Sequence, residues 1–146
     1  LAAALMLGAD GIVAGTRFWA TQEALTPKSH TDKAIAANGD STIRTRTLDM
    51  LRGVPWPREY SFRFLRNRLA AEWIDREAEA ASNYGCLGEK YGEARMRDDL
   101  ETVAVVGGEA VGLIENRPTA EQVVNSMAVQ AARLLRNGAN LTFGQL

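Results

Sequence analysis

The chain has 146 residues, 46% of them hydrophobic and 24% charged, with 17 Lys and Arg against 18 Asp and Glu. That balance excludes the basic footprint of a nucleic-acid or anionic-membrane binder, and no apolar run approaches the ~20 residues of a membrane span. A single cysteine, Cys86, excludes a disulfide framework and points to a reducing, cytoplasmic compartment; with a single histidine besides, a metal site is not expected.

The sequence opens at Leu1 inside an apolar helical pattern that runs to Leu7 and stops at Gly8, a C-cap glycine. The basic n-region and cleavage site of a signal peptide are not visible in it. It reads as a helix cut partway along, so the chain is expected to be a C-terminal fragment. Asp10-Gly11 marks a turn, and Ile12, Val13 and Ala14 form the apolar run of a strand covered on both faces. Gly15 lets a ligand approach the backbone, and Thr16 adds a hydroxyl and an N–H. A strand feeding a Gly-Thr turn at a helix start can cradle an anion, or it can simply turn the chain tightly. Both readings stand at this point. A strand buried on both faces needs neighbours, so the remainder of a parallel sheet is expected upstream.

A helix is predicted from Phe18 to about Leu25, stopped by Pro27. Ser29 and Asp32 resemble a capping box for a helix over 30–37, which Asn38-Gly39 closes. His30 there reads as a helix-start or surface residue. Residues 41–47 alternate and are β-branched, an exposed strand or an extended surface segment. Leu48 to Arg52 suggests one helical turn closed by Gly53, and Pro55-Trp56-Pro57 a stiff turn with Trp56 packed as a plug.

From Phe64 to Ser82 the period predicts one helix, with Leu65, Leu69 and Trp73 as its stripe and Arg68/Glu72 and Glu72/Arg76 as surface pairs. Residues 83–101, with Gly85, Gly88 and Gly92, read as a mobile loop around a short helix near 93–99. Cys86 lies in it and is read as incidental. Thr102 to Val106 is a short strand or extended coil. In 107–114 glycines sit beside an apolar face, as where backbone packs closely on something flat or crowded, or where helices pack tightly. Thr119 and Gln122 then form a capping box for a helix with Val123, Val124, Met127, Ala131, Leu134 and Leu135 on its apolar face. Asn137-Gly138 is predicted to close it, leaving 139–146 as a loose tail.

Leu5-Met6-Leu7-Gly8-Ala9-Asp10-Gly11-Ile12-Val13-Ala14-Gly15-Thr16-Arg17-Phe18 resembles the last barrel strand of the nitronate monooxygenases, the former 2-nitropropane dioxygenases. His30 and Lys33, Thr42 and Thr45, Arg66-Asn67 before a helix, and Gly107 to Ile114 running into Pro118-Thr119-Ala120-Glu121 are similar to that family's C-terminal half. Where the family has an Ala-Gly-Gln-like sequence, this chain has Gly107-Gly108-Glu109.

The resemblance implies an α/β fold: the last strand and helices of a (β/α)8 TIM barrel plus a mostly helical region. Residues 1–38 would end the barrel, 39–101 form the helical second region, 102–138 pack back on the barrel, and 139–146 form the tail. It implies FMN as cofactor, an alkyl nitronate and O2 as small-molecule partners, and no nucleic acid or membrane. Ala14, Gly15 and Thr16 would hold the FMN phosphate, and Gly108 and Glu109 would lie at the flavin or substrate rim. The family's catalytic histidine belongs to upstream barrel strands and His30 does not match it. The family's other phosphate-binding glycine loop, after the preceding strand, is missing as well, so the chain alone is expected to bind FMN weakly or not at all and not to turn over. An FMN-dependent enoyl-thioester reductase shares the strand motif, and a non-catalytic helical interaction domain is the reading from another class.

Overall fold

The computed structural model describes residues 1–57 and 59–141, which group into two compact units. One comprises Leu1–Leu25 with the chain from Asn116 onward; the other is Thr26–Glu115.

The Thr26–Glu115 unit is built on a small antiparallel sheet. Strand β1 (Thr42–Arg44) pairs with β2 (Arg63–Leu65), with Ile43 opposite Phe64. The segment left open between strand and coil joins the same sheet. Leu65 N–H donates to Val105 O at 2.8 Å and Gly107 N–H to Arg63 O at 3.1 Å, while Val106 bridges Phe64. β2 is thus bonded along both edges, and Phe64, Leu65 and Val105 are fully buried. Thr42 and Ile43 are buried too, which corrects the exposed reading of 41–47.

Helices α3 (Lys28–Ile35), α4 (Arg46–Leu51), α5 (Arg68–Trp73), α6 (Glu77–Ser82) and α7 (Tyr84–Met96) belong to the same unit. The predicted helix 64–82 is therefore three elements. Phe64 and Leu65 are captured by the sheet, because β-ladder bonds and burial outweigh local helical period. Asn67 then restarts the chain as the α5 N-cap: its Oδ1 accepts from Ala70 N–H at 2.8 Å while Nδ2 donates to Val103 O at 3.0 Å. The surface ion pair found here is Arg76–Glu79 at 2.6 Å, in place of the predicted pairs.

The predicted loop 83–101 is mostly α7. Leu87, Tyr91 and Ala94, at helical spacing, are buried. Gly85, Gly88 and Gly92 lie off that face, and a Cβ added to any of them meets no atom within 4 Å. Helix α3 lacks the predicted Ser29 cap: it starts at Lys28 with Pro27 as N-cap, two residues earlier than predicted. Asn38, predicted to close α3, instead caps the following 3₁₀ turn Gly39–Ser41. Gly53, at φ +70°, follows α4 as predicted. Trp56 keeps 39% exposure and meets Phe62 edge-on at 5.0 Å, so it covers the body only partly.

The other unit holds α1 (Ala2–Met6), α2 (Thr16–Trp19) and α8 (Ala120–Leu141), with α8 packed against both. Gly8 sits at φ +90° beyond the C-cap Leu7, the left-handed closure expected there. The predicted strand at 11–15 is not a strand: its backbone is irregular, Ile12 is 44% exposed and Val13 fully so. No strand among the described residues lies beside it to take its N–H and C=O groups. Helix α2 stops at Trp19 rather than Leu25, with Ala20 as C-cap.

The capping box of α8 forms both ways: Gln122 N–H donates to Thr119 Oγ1 at 3.1 Å, and Thr119 N–H to Gln122 Oε1 at 2.9 Å. Of the predicted apolar face, Val123 and Ala131 are buried, while Val124 and Leu134 stay exposed. The helix continues through Asn137-Gly138 to Leu141, because one glycine costs a helix only about 1 kcal/mol. The remainder of the predicted tail, 142–146, lies outside the described residues.

Candidate functional site

The Gly-Thr turn is built from the end of α1 forward. Gly8 reverses the chain, Asp10 bends it, and 11–14 run without regular structure to Gly15. Gly15 is the N-cap of α2 and Thr16 its first residue. No side chain caps this helix, and its first N–H groups have no acceptor within so short a helix. A Cβ built on Gly15 meets nothing within 4 Å, so the space over the turn is open. Ala14 and Thr16 are half-buried and Gly15 is exposed. These residues fit an oxyanion: open approach, backbone donors and one hydroxyl.

The Arg17 guanidinium points along the chain. Arg17 Nη2 donates to Ala20 O at 3.2 Å and to Asn116 O at 2.6 Å, and its buried Nε has no partner. Burial holds its pKa below the ordinary arginine value.

Gly108 and Glu109 fall in the other unit. Gly108 is the N-cap of a 3₁₀ turn, Glu109–Leu113, packed on the turn Gly39–Ser41. A Cβ on Gly112 would lie 3.1 Å from Gly39 N, and one on Gly39 3.2 Å from Glu109 O. The crowding expected of this glycine segment is therefore backbone on backbone. Glu109 pairs with Arg63 Nη2 at 3.0 Å, and Arg63 Nη1 donates to Thr42 Oγ1 at 3.1 Å. The Glu109 carboxylate is thus charge-balanced by a strand residue 46 positions earlier, a partnership with no local signal in the sequence.

His30, on α3, lies 3.5 Å from Asp98 through Nε2. Burial is the largest influence and lowers its pKa below the usual imidazole value; Asp98 opposes this. The Asp98 backbone has φ 53°, a left-handed conformation Asp tolerates. Cys86 is exposed on α7. Among the described residues no group of His, Cys, Asp and Glu could hold a metal ion, and no helix is long and apolar enough to cross a membrane.

A groove of about 920 Å³ that the sequence did not foreshadow opens beside α4 and α6, between Asp49, Trp56, Tyr60, Glu77 and Tyr84. Burial raises the Asp49 pKa, against hydrogen bonds from Phe62 N–H and the Trp56 indole. The only hint in the sequence is one carboxylate inside the apolar run Leu48-Asp49-Met50-Leu51.

No family model matches the chain. It is 35% identical over 142 residues to the nitronate monooxygenase npaC of Metarhizium robertsii, an alignment covering 92% of this chain and 38% of that protein. It is 29% identical over 136 residues to a nitronate monooxygenase of Neurospora crassa, covering 91% of this chain and 35% of that one. A putative monooxygenase of Mycobacterium tuberculosis is 40% identical over 73 residues, half of this chain and 17% of that protein. The chain therefore spans little more than a third of the length of the curated relatives it matches. In three dimensions it is similar to FabK from Thermotoga maritima, with a TM-score of 0.71 and 23% identity over 96% of this chain and 42% of that one. The M276A mutant of the same protein matches with a TM-score of 0.67, at 23% identity over 96% of this chain and 39% of that chain. The likeness to FabK shows the fold alone.

Proposed function

We propose that the chain belongs, over the residues it spans, to the nitronate monooxygenase family and forms part of an FMN-dependent barrel enzyme oxidising alkyl nitronates with O2. The observation that carries this reading is the 35% identity to npaC over 92% of the chain. FMN, when bound, supplies the electron acceptor for the nitronate and the electron donor for oxygen.

The chain's own part is to hold the cofactor. Ala14 brings the backbone to the turn, the Gly15 and Thr16 N–H groups donate to phosphate oxygens, and the Thr16 hydroxyl adds a further donor. Gly108 and Glu109 stand at the flavin or substrate rim, with Arg63 balancing the Glu109 carboxylate so that the rim does not repel an anionic nitronate. By the resemblance the catalytic histidine belongs to upstream barrel strands, and His30, which follows the last strand position, does not match it.

The test is made on the full-length protein. It should purify with flavin absorbance and consume oxygen when given an alkyl nitronate. NAD(P)H oxidation driven by an enoyl thioester, without nitronate-dependent oxygen uptake, would assign it to the reductases instead. A colourless protein that gains no flavin on titration would leave a helical interaction domain. These 146 residues alone should bind FMN weakly or not at all; stoichiometric, tight binding by them would overturn the partial-site reading.

A further inference from the structure

Helix α2 has four residues, far below the ~12–15 at which a helix becomes even marginal alone in water. Its conformation, and that of the Gly15-Thr16 turn that starts it, must come from tertiary contacts. Those contacts form a reciprocal clasp with the segment that opens α8. Arg17 Nη2 reaches Asn116 O at 2.6 Å, and in return Arg117 Nε reaches Thr21 O at 3.1 Å. Between the two arginines, Gln22 N–H donates to Pro118 O at 3.0 Å and its side-chain amide to Arg117 O at 3.2 Å. Beyond them, the Glu23 carboxylate accepts from Ala120 N–H at 2.9 Å, at the first turn of α8.

The two partners differ in rigidity. α8 has 22 residues and its own reciprocal capping box, so its start is well defined. α2 has neither length nor cap. Arg17 also donates to Ala20 O, the C-cap carbonyl of α2, placing its charge where the helix dipole favours a cation. One guanidinium therefore closes α2 and ties it to the α8 segment. Its Nε is buried and unpartnered, a cost that the two carbonyl bonds of Nη2 offset.

We propose that Arg17 and Arg117 are positioning residues for the cofactor turn: together they lock α2 to the start of α8 and so hold the Gly15 and Thr16 N–H groups in place for a phosphate monoester. Neither arginine is the phosphate ligand. The inference rests on the reading of Gly15-Thr16 as the FMN phosphate turn, and goes beyond it by assigning that turn's geometry to contacts between residues 96 and 99 positions apart.

The experiment uses the full-length protein, stripped of flavin, and measures FMN and riboflavin binding by fluorescence quenching. Riboflavin has the ring and lacks the phosphate. Arg17→Met and Arg117→Met should each weaken FMN binding about tenfold, a change of about 1.4 kcal/mol, and leave riboflavin binding within about twofold, which is ~0.4 kcal/mol. Because both act through one clasp, the double variant should be little worse than the worse single one. Arg17→Lys, which keeps a charged donor, should recover most of the lost FMN affinity.

An effect at Arg17 with none at Arg117 would make Arg17 a direct ligand and overturn the clasp. Equal loss of FMN and riboflavin would reduce it to general loosening, and unchanged FMN affinity in both variants would also overturn it. A wild-type protein that binds riboflavin and FMN equally fails earlier, at the phosphate-turn reading itself, and so is distinguishable from failure of the clasp.

Discussion

The two units solve the burial problem in opposite ways. In Thr26–Glu115 the apolar side chains close on one another: Phe64, Leu48, Leu65, Val105 and Val111 are fully buried, and buried polar groups such as Asn67 and Asp49 find partners in the same unit. In the unit that carries the Gly-Thr turn, Val13 and Leu25 are fully exposed, Leu7 is 89% exposed and Met6 72%. Within that unit hydrogen bonds tie residues 17–23 to the start of α8, and α1 also packs on α8. The lesson is that the piece with the legible motif is the piece whose apolar residues are least satisfied by this chain. Packing density and functional content are separate quantities.

Mutations that change stability sharpen or break this contrast. The largest expected effect is Phe64→Ala, which empties the centre of the sheet and should cost about 3–5 kcal/mol, read as a lower urea midpoint at unchanged slope. A loss below about 1 kcal/mol would mean that the unit has no core of its own.

Asn67→Ala comes next. It removes the α5 cap and orphans Val103 O, for about 2–4 kcal/mol in total, again in urea.

Two glycine substitutions should then differ in sign. Gly112→Ala puts a Cβ 3.1 Å from the Gly39 backbone nitrogen and should destabilise by about 1–3 kcal/mol. Gly92→Ala adds a methyl where nothing lies within 4 Å and should stabilise α7 by about 0.5–1 kcal/mol. Matching signs in thermal melts would contradict the backbone contact.

His30 gives a smaller, pH-dependent effect. Burial depresses its folded-state pKa below 6.5, so the unfolded chain takes up the proton first as pH falls. Its contribution is fully present above the unfolded pKa and is lost as pH drops through the folded one. His30→Gln should flatten the decline in stability between about pH 7 and about pH 5; an unchanged decline would place its origin elsewhere. Smallest of all, Val13→Ala in the exposed segment should stay within about 0.5 kcal/mol of wild type; a larger loss would show that Val13 is covered in solution.

Local signals were read well wherever local chemistry decides. Gly8 and Gly53 sit at positive φ at helix ends, and Thr119 and Gln122 cap α8 reciprocally. The pattern failed where long-range pairing overrode it. Phe64 and Leu65 fit a helical stripe equally well, yet they lie in a strand because 42–44 and 105–107 supply ladder partners. The three glycines of 83–92 suggested a loop, but the period of Leu87, Tyr91 and Ala94 against the core prevailed. Ile12 to Ala14 has strand composition and no strand, since a ladder cannot be written by one segment alone.

At the candidate site, the turn itself was legible, because Gly15-Thr16 before an aromatic helix start is a local feature. The sequence by itself determined that turn, the helix caps, the near-neutral charge and the family resemblance, since each depends on residues a few positions apart or on composition. Only the tertiary structure decided that Arg17 faces Asn116, that Arg63 balances Glu109 and that Gly112 must be small against Gly39. Each of these joins residues tens of positions apart, and no periodicity in a linear chain encodes which distant carbonyl a guanidinium will meet.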